Sequence, residues 1–160
     1  MTRHETLAAD QSELRFLLNG KAVSIAGAPG ERLSKANDFL NGLRAAAERG
    51  RLIYGECGGY MVLGQALIAA DGGAHIMAGL LPVTTSFARR KLHLGYRRLE
   101  HDEALPWPKV LKAHEFHYSM IESQDEETPL FRASDASARD LGSMGLRRNR
   151  VMGSYAHVIA

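Results

Sequence analysis

Apolar residues recur at helical spacing between residues 34 and 50, in the stretch SKANDFLNGLRAAAERG. At about 3.6 residues per turn, these positions share one side of a helix. Ser34 is placed to cap the first turn, and Gly50 is placed to end the last one. The pattern predicts an amphipathic helix whose buried face is formed by Phe39, Leu40, Leu43, Ala46 and Ala47.

Shorter apolar runs predict strands on either side of this helix. Two of them flank Asn19-Gly20 in RFLLNGKAVSIAG, and this turn dipeptide is typical of a hairpin. RLIY at 51–54 predicts another strand, and YMVLGQALI at 60–68 predicts a second helix. From His75 onward the apolar runs are mostly those of strands. Helices and strands followed by a strand-rich half predict an α/β fold.

Composition and charge exclude several classes of function. The chain has 160 residues, enough for one domain, and a net charge of +2. Its arginines form only short clusters, so nucleic-acid binding is not favoured. No segment reaches the roughly 18 consecutive apolar residues of a membrane span, and the N-terminus lacks the apolar run of a signal peptide. We therefore expect a cytoplasmic protein with no membrane partner and no nucleic-acid partner.

Cys57 is the single cysteine of the chain, which excludes an internal disulfide and a multi-cysteine zinc site. It lies in RLIYGECGGYMVLG, between a predicted strand and a predicted helix, with glycines on both sides. This is the pattern of a nucleophile elbow, whose sharp turn needs glycine neighbours. The helix N-terminus is expected to lower the pKa of Cys57, and the Gly58 N–H to stabilise an oxyanion. The alternative is a buried structural cysteine.

A cysteine nucleophile needs a base, usually histidine, and the chain has seven histidines. His157, in VMGSYAHV, ends a predicted strand far along the chain from the cysteine. His114 and His117 form HEFH, where a spacing of three on a strand predicts side chains on opposite faces, unlike the spacing of four in zinc-protease helices. His93 fits a partly buried structural role, and His101 is expected in solvent near a turn. No metal site is predicted.

Four stretches together resemble the C-terminal glutamine amidotransferase domain of cobyrinic or hydrogenobyrinic acid a,c-diamide synthases, enzymes of cobalamin biosynthesis. They occur in the family's order over about three quarters of the chain. HEFHYS and RKLHLGYR look more like this family than like the related cobyric acid synthases, which share the cysteine and the histidine. The four stretches are YGECGGYMVLG, AGLLPVTTSFARRKLHLGYR, AHEFHYS and VMGSYAHV.

The resemblance implies an α/β fold of the class I amidotransferase type, in which a flavodoxin-like sheet is flanked by helices. Residues 24–160 would form this domain, incomplete at its N-terminus, after a poorly matched lead-in at 1–23. Cys57 would attack the side-chain amide of glutamine and form a γ-glutamyl thioester. His157 would activate the thiol and protonate the leaving amine, and Gly58 would supply one oxyanion donor.

Two parts of the family's site differ in this chain. The second oxyanion donor of the family comes from an upstream loop, and Gly27 or Ala28 in SIAGAPGERLS is the nearest, poor match. Many class I amidotransferases also carry a glutamate two residues after the histidine, where this chain has Ile159. The group that orients His157 is therefore unidentified from the sequence.

The resemblance also implies partners. Ammonia would pass to a synthetase domain that uses ATP and Mg²⁺ to activate corrin carboxylates. No G-x-x-x-x-G-K-[ST] phosphate loop occurs in the sequence, so we expect that domain to be absent and this chain itself to need no cofactor. A homodimer is also compatible with the resemblance. The alternatives are a non-catalytic amidotransferase-like remnant or binding module, an amidotransferase of the cobyric acid synthase type, and an unrelated cysteine hydrolase.

Overall fold

A computed structural model describes residues 14–18, 21–25, 35–102, 104–125 and 128–159. These ranges contain thirteen strands and two helices, α1 (Asn37–Glu48) and α2 (Gly58–Leu63). Neither helix is long and apolar enough to cross a membrane. The strands are β1 (Leu14–Leu18), β2 (Lys21–Ile25), β3 (Ile53–Cys57), β4 (Ala66–Ile68), β5 (Ala74–Ile76), β6 (Val83–Ser86), β7 (His93–Glu100), β8 (Val110–His117), β9 (Met120–Gln124), β10 (Pro129–Asp135), β11 (Asp140–Arg148), β12 (Val151–Ser154) and β13 (His157–Val158).

Nine strands form one sheet in the order β13-β8-β7-β10-β11-β12-β3-β1-β2. Its described strand pairs are antiparallel except β12 and β3, which run parallel. Because β12 and β3 run in the same direction, the segments that follow them leave the sheet at the same edge. The predicted hairpin is confirmed, since Leu18 of β1 pairs with Lys21 of β2.

A second, smaller sheet has the order β5-β4-β6-β9. Its strand β4 follows α2 almost directly and pairs in parallel with β6. The overall class is therefore mixed α/β with most described residues in strands, as predicted. The finer assignment to a flavodoxin-like class I sheet stays a prediction.

The central strand β3 is buried over its whole length and separates two apolar clusters. Ile53 packs with α1 and α2, whereas the next residue, Tyr54, packs with β7, β8 and β10. Successive side chains of a strand point to opposite faces, so β3 contributes to both sides of the core. A central strand of this kind is a rigid support for the turn that follows it.

The helix predicted from residues 34–50 is confirmed, and its first turn begins later than expected. Ala36 occupies the N-cap position of α1 without a side-chain cap, and Ser34 lies outside the described residues. Gly50 ends the helix with a φ of +69°, a conformation that glycine adopts at little cost. Leu40 and Leu43 are the fully buried residues of the predicted apolar face.

The second helix is much shorter than predicted. It ends at Leu63, and Ala66–Ile68 of the expected helix form β4. A Cβ added to Gly64 would lie 2.5 Å from the carbonyl oxygen of Val83, so this position is fixed by the approach of a distant strand. The N–H of Gln65 then donates to the same oxygen, over 2.8 Å. Long-range packing against β6 therefore overrides the local helical pattern.

Candidate active site

Cys57 stands at the junction of β3 and α2, as the predicted nucleophile elbow requires. Its backbone φ is +49° and ψ is −107°, a combination that residues with a side chain rarely adopt. Such strained geometry is found where a turn has to present a functional side chain. The side chain is buried, with 4% of its surface exposed.

The glycines around Cys57 allow α2 to pack closely on the sheet. A Cβ on Gly55 would lie 2.7 Å from the backbone of Gly59. A Cβ on Gly153, in the neighbouring strand β12, would lie 2.7 Å from the ring of Tyr60. These contacts leave no room for larger residues, so the glycines that suggested a strained turn also determine how close helix and strands come.

The expected lowering of the thiol pKa is wrong. The pKa of Cys57 is raised to about 11, mainly by burial and to a smaller extent by the negative charges of Glu56 and Glu115. The hydrogen bond from the Gly58 N–H acts in the opposite direction but does not outweigh burial. Because α2 has only six residues, its N-terminus offers little compensation. A raised pKa favours the neutral thiol over the thiolate at Cys57.

His157 lies at the same edge of the sheet as Cys57. Ser154 of β12 pairs with Glu56 of β3. Cys57 directly follows Glu56, and His157 lies three positions after Ser154. His157 itself begins β13, where it pairs with His114 of β8. Parallel strands thus place two residues that lie a hundred positions apart in the sequence at the same end of the sheet.

Glu56 contacts the segment that carries the histidine. Its Oε1 accepts a hydrogen bond from the Val158 N–H over 3.0 Å, and its Oε2 lies 3.8 Å from His157 Nδ1. Only 7% of Glu56 is exposed. This residue is not among those predicted from the sequence, although a carboxylate inside the apolar run LIYGEC is a signal that could have identified it.

The stretches HEFHYS and RKLHLGYR, which had no assigned role, pair with each other as β8 and β7. Arg97 Nε donates to Glu115 Oε2 over 2.7 Å, and Glu115 Oε1 lies 2.7 Å from His117 Nε2. His117 Nδ1 donates to the carbonyl oxygen of Ser119 over 2.9 Å. Burial acts to raise the pKa of Glu115, but the hydrogen bonds and charges of His117 and Arg97 outweigh it and lower the pKa. We call these three residues, Arg97, Glu115 and His117, the β7–β8 ion-pair network.

Tyr155 connects the β7–β8 ion-pair network to the cysteine. Its ring stacks on His117 with centroids 3.7 Å apart, and Ser119 Oγ donates to its hydroxyl over 2.8 Å. Burial raises the pKa of Tyr155, and the nearby charge of an ionised Cys57 adds to this rise. The network therefore supports the wall of the site next to the thiol.

His93, Glu115 and His117 each bring a possible metal ligand within 4.8 Å of the other two. The rings of His93 and His117 are stacked, with 5° between their planes and centroids 4.6 Å apart. The in-plane lone pairs of two parallel rings do not converge on one ion. Both nitrogens of His117 and both oxygens of Glu115 already face partners. We therefore interpret Glu115 and His117 as members of the β7–β8 ion-pair network, with His93 stacked on His117.

The remaining predicted residues have different outcomes. Gly58 places its N–H at the sulfur, where an oxyanion donor is needed, whereas Gly27 lies outside the described residues. His114 is half-buried and packs on Tyr96, on the opposite face from the buried His117, as predicted. His101 is buried and its Nε2 lies 3.0 Å from the carbonyl oxygen of Pro108, so its predicted solvation is wrong.

A large groove lies away from the cysteine. It has a volume of about 930 Å³ and runs over β7, β8 and β10, with Tyr96, Arg98, Lys112 and Arg132 among its lining residues. Cys57 and His157 do not line it. The chemistry is therefore assigned from the elbow and its partners and not from the groove.

Sequence comparison finds relatives that cover most of this chain. A hydrogenobyrinate a,c-diamide synthase from Brucella anthropi is 56% identical over 128 residues, which cover 80% of this chain and 29% of that protein. Enzymes of the same name from Rhizobium meliloti and Rhodobacter capsulatus are 51% and 47% identical, each over 81% of this chain and 30% of their own length. The chain thus spans about 30% of the length of these relatives.

The family comparison covers most of the described site. The model of the CobB/CobQ-like glutamine amidotransferase domain matches residues 27–160. This range includes the turn at Cys57, both motifs of the β7–β8 pair and His157. The chain belongs to the CobB/CobQ-like glutamine amidotransferase domain family.

Proposed function

We propose that this chain is the glutamine-hydrolysing part of a hydrogenobyrinate a,c-diamide synthase and that it uses Cys57 and His157. The carrying observation is the buried thiol at a positive-φ turn, with His157 and a carboxylate at the same sheet edge. The names of the relatives support hydrogenobyrinate as the acceptor substrate of the whole protein. A synthetase region with ATP and Mg²⁺ would activate two of its carboxylates, and ammonia would displace the activating group.

The first half of the reaction forms a thioester. His157 takes the thiol proton of Cys57 while the sulfur attacks the amide carbon of glutamine, and the carbonyl oxygen becomes an oxyanion facing the Gly58 N–H. His157 then gives the proton to the amide nitrogen, the C–N bond breaks, and ammonia leaves. Because the pKa of Cys57 is raised to about 11, proton removal has to accompany the attack.

The second half of the reaction regenerates the thiol. His157 takes a proton from a water molecule that attacks the thioester carbon. The C–S bond then breaks, glutamate leaves, and the proton returns to the sulfur. The sum of both halves is glutamine plus water giving glutamate plus ammonia, and the protein ends unchanged.

One experiment tests this proposal by trapping the nucleophile. The probe is a glutamine analogue in which a diazoketone replaces the side-chain amide, so that a thiol attacking it forms a C–S bond and releases N₂. We expect one adduct per chain, mapped to Cys57 by mass spectrometry, with labelling slowed by glutamine. Absence of an adduct on the wild-type chain, or equal labelling of Cys57→Ser, would contradict the proposal.

A second candidate function is a non-catalytic binding module of the same fold. The observation that favours it is the buried thiol with a raised pKa, because nucleophilic cysteines usually have lowered pKa values. A module of this kind would bind glutamine without consuming it. Glutamate formation by the wild-type chain, lost in Cys57→Ser, separates the two candidates.

A further inference from the structure

Glu56 is the buried carboxylate that directly precedes the nucleophile. It is the penultimate residue of the apolar strand β3 and the only acidic residue of that strand. Burial of a carboxylate is costly unless the carboxylate is paired and hydrogen-bonded. A carboxylate at this position is therefore expected to have partners that stabilise its charge.

Both oxygens of Glu56 face the segment that carries the proposed base. Oε1 accepts from the Val158 N–H at 3.0 Å, and Oε2 lies 3.8 Å from Nδ1 of His157. One carboxylate thus accepts a backbone hydrogen bond from β13 and lies within ion-pair distance of its histidine ring. The contact spans 102 residues of sequence and joins the nucleophile strand to the histidine strand.

The place usually occupied by an orienting acid in class I amidotransferases is unsuitable in this chain. Ile159, two residues after the histidine, is half exposed and has no group that could hold an imidazole N–H. Its N–H donates to the carbonyl oxygen of Lys112 and fixes the strand instead. Glu56, the residue directly before the cysteine, approaches the ring of His157 instead.

We infer that Glu56 is the positioning residue of the proposed Cys57–His157 pair. A carboxylate at Nδ1 holds the tautomer in which Nδ1 carries the proton and Nε2 is free to accept one. The same carboxylate stabilises the imidazolium formed when His157 takes the thiol proton. This inference rests on the proposed function, and it adds the third member of the site.

Several ionisable groups surround His157, and the test has to separate their effects. Glu56 approaches from β3, where Cys57 is the next residue, His114 and Lys112 lie on β8, and Tyr155 precedes the histidine on its own segment. Glu56→Gln removes the charge but keeps an oxygen that can accept from the Val158 N–H. Glu122→Gln, at an exposed position of β9, is the matched control.

The experiment measures glutamate release and the titration of the His157 ring in the same proteins. NMR follows the ring signal, which is identified by its absence in His157→Gln. We expect Glu56→Gln to lower kcat about 100-fold or more with little change in KM. We also expect its His157 titration midpoint to fall by about one pH unit, because a nearby opposite charge stabilises the protonated ring. Glu122→Gln should match the wild type in both measurements.

Each outcome decides the inference. A lowered midpoint together with lost turnover supports it, whereas an unchanged midpoint or an unchanged kcat overturns it. If the midpoint falls but the wild-type chain itself forms no glutamate, the positioning contact stands and the proposed function fails. Thermal unfolding shows whether Glu56→Gln is folded. If it is not, Glu56→Asp replaces it. Its side chain is one methylene shorter, so its carboxylate lies farther from Nδ1 and both kcat and the midpoint should fall; values identical to the wild type overturn the inference.

Discussion

Two buried glutamates of the same sheet, Glu56 and Glu115, differ in what they hold. Both expose 7% of their surface. Glu115 lies between the cation Arg97 and His117, within one pair of adjacent strands. Glu56 accepts a hydrogen bond from the Val158 N–H and lies 3.8 Å from the ring of His157, and it connects strands that are distant in sequence. We therefore expect Glu115 to serve stability and Glu56 to serve the reaction.

The largest expected effect on stability is that of Glu115→Gln. Removing one partner of a buried ion pair leaves the other charge without compensation and costs about 3 kcal/mol or more of unfolding free energy. Urea denaturation measures the loss, with the exposed Glu122→Gln as the control expected within about 0.5 kcal/mol. A loss as small as that of the control would remove the distinction between the two glutamates.

The pH dependence of the same variant sharpens the comparison. The pKa of Glu115 is lowered in the folded state. Its carboxylate therefore contributes to the free energy of unfolding above the unfolded-state pKa of about 4.3, and this contribution is lost as the pH falls through the folded-state pKa. Wild-type unfolding free energy should thus decrease in acid more steeply than that of Glu115→Gln. Parallel curves below pH 4 would show that the lowered pKa has no part in stability.

The thiol gives a smaller effect at the opposite end of the pH range. The pKa of Cys57 is raised in the folded state from 9.0 to about 11. The protonated thiol therefore contributes up to about 3 kcal/mol to the free energy of unfolding. This contribution is fully present below pH 9 and is lost as the pH rises through 11. Cys57→Ala should lack this loss, so the difference in unfolding free energy between the two proteins should shrink between pH 8 and pH 11. A constant difference would mean that the thiol is not protected by burial.

Ser119→Ala has the smallest expected effect on the free energy of unfolding. Ser119 lies between the β7–β8 ion-pair network and Tyr155, next to the thiol. The variant loses the hydrogen bond from Ser119 Oγ to the Tyr155 hydroxyl, which costs about 1 kcal/mol. We expect the rate of Cys57 alkylation by iodoacetamide to change less than twofold, because the stacking of Tyr155 on His117 remains. A large change in that rate would show that the β7–β8 ion-pair network controls the thiol directly.

The sequence was sufficient to predict the features that depend on local pattern. The glycines around Cys57 predicted a sharp turn, and the apolar spacing around Leu40 and Leu43 predicted α1. His157 was selected through the family resemblance, since nothing in its own surroundings distinguishes it from the other histidines.

The errors concern features that depend on distant contacts. The contact of Val83 with Gly64 ends α2, and no helical pattern contains that information. Burial reversed the expected direction of the Cys57 pKa shift. Glu56 was missed because its partner, Val158, lies 102 residues away.

The most direct test of the account is the initial rate of glutamate release from glutamine by the wild-type chain and by Cys57→Ser. We expect the wild-type chain to form glutamate and ammonia in equal amounts. We also expect a rate at least about 1000-fold lower for Cys57→Ser, because the thioester cannot form. Equal rates for the two proteins would contradict the assignment of Cys57 as the nucleophile.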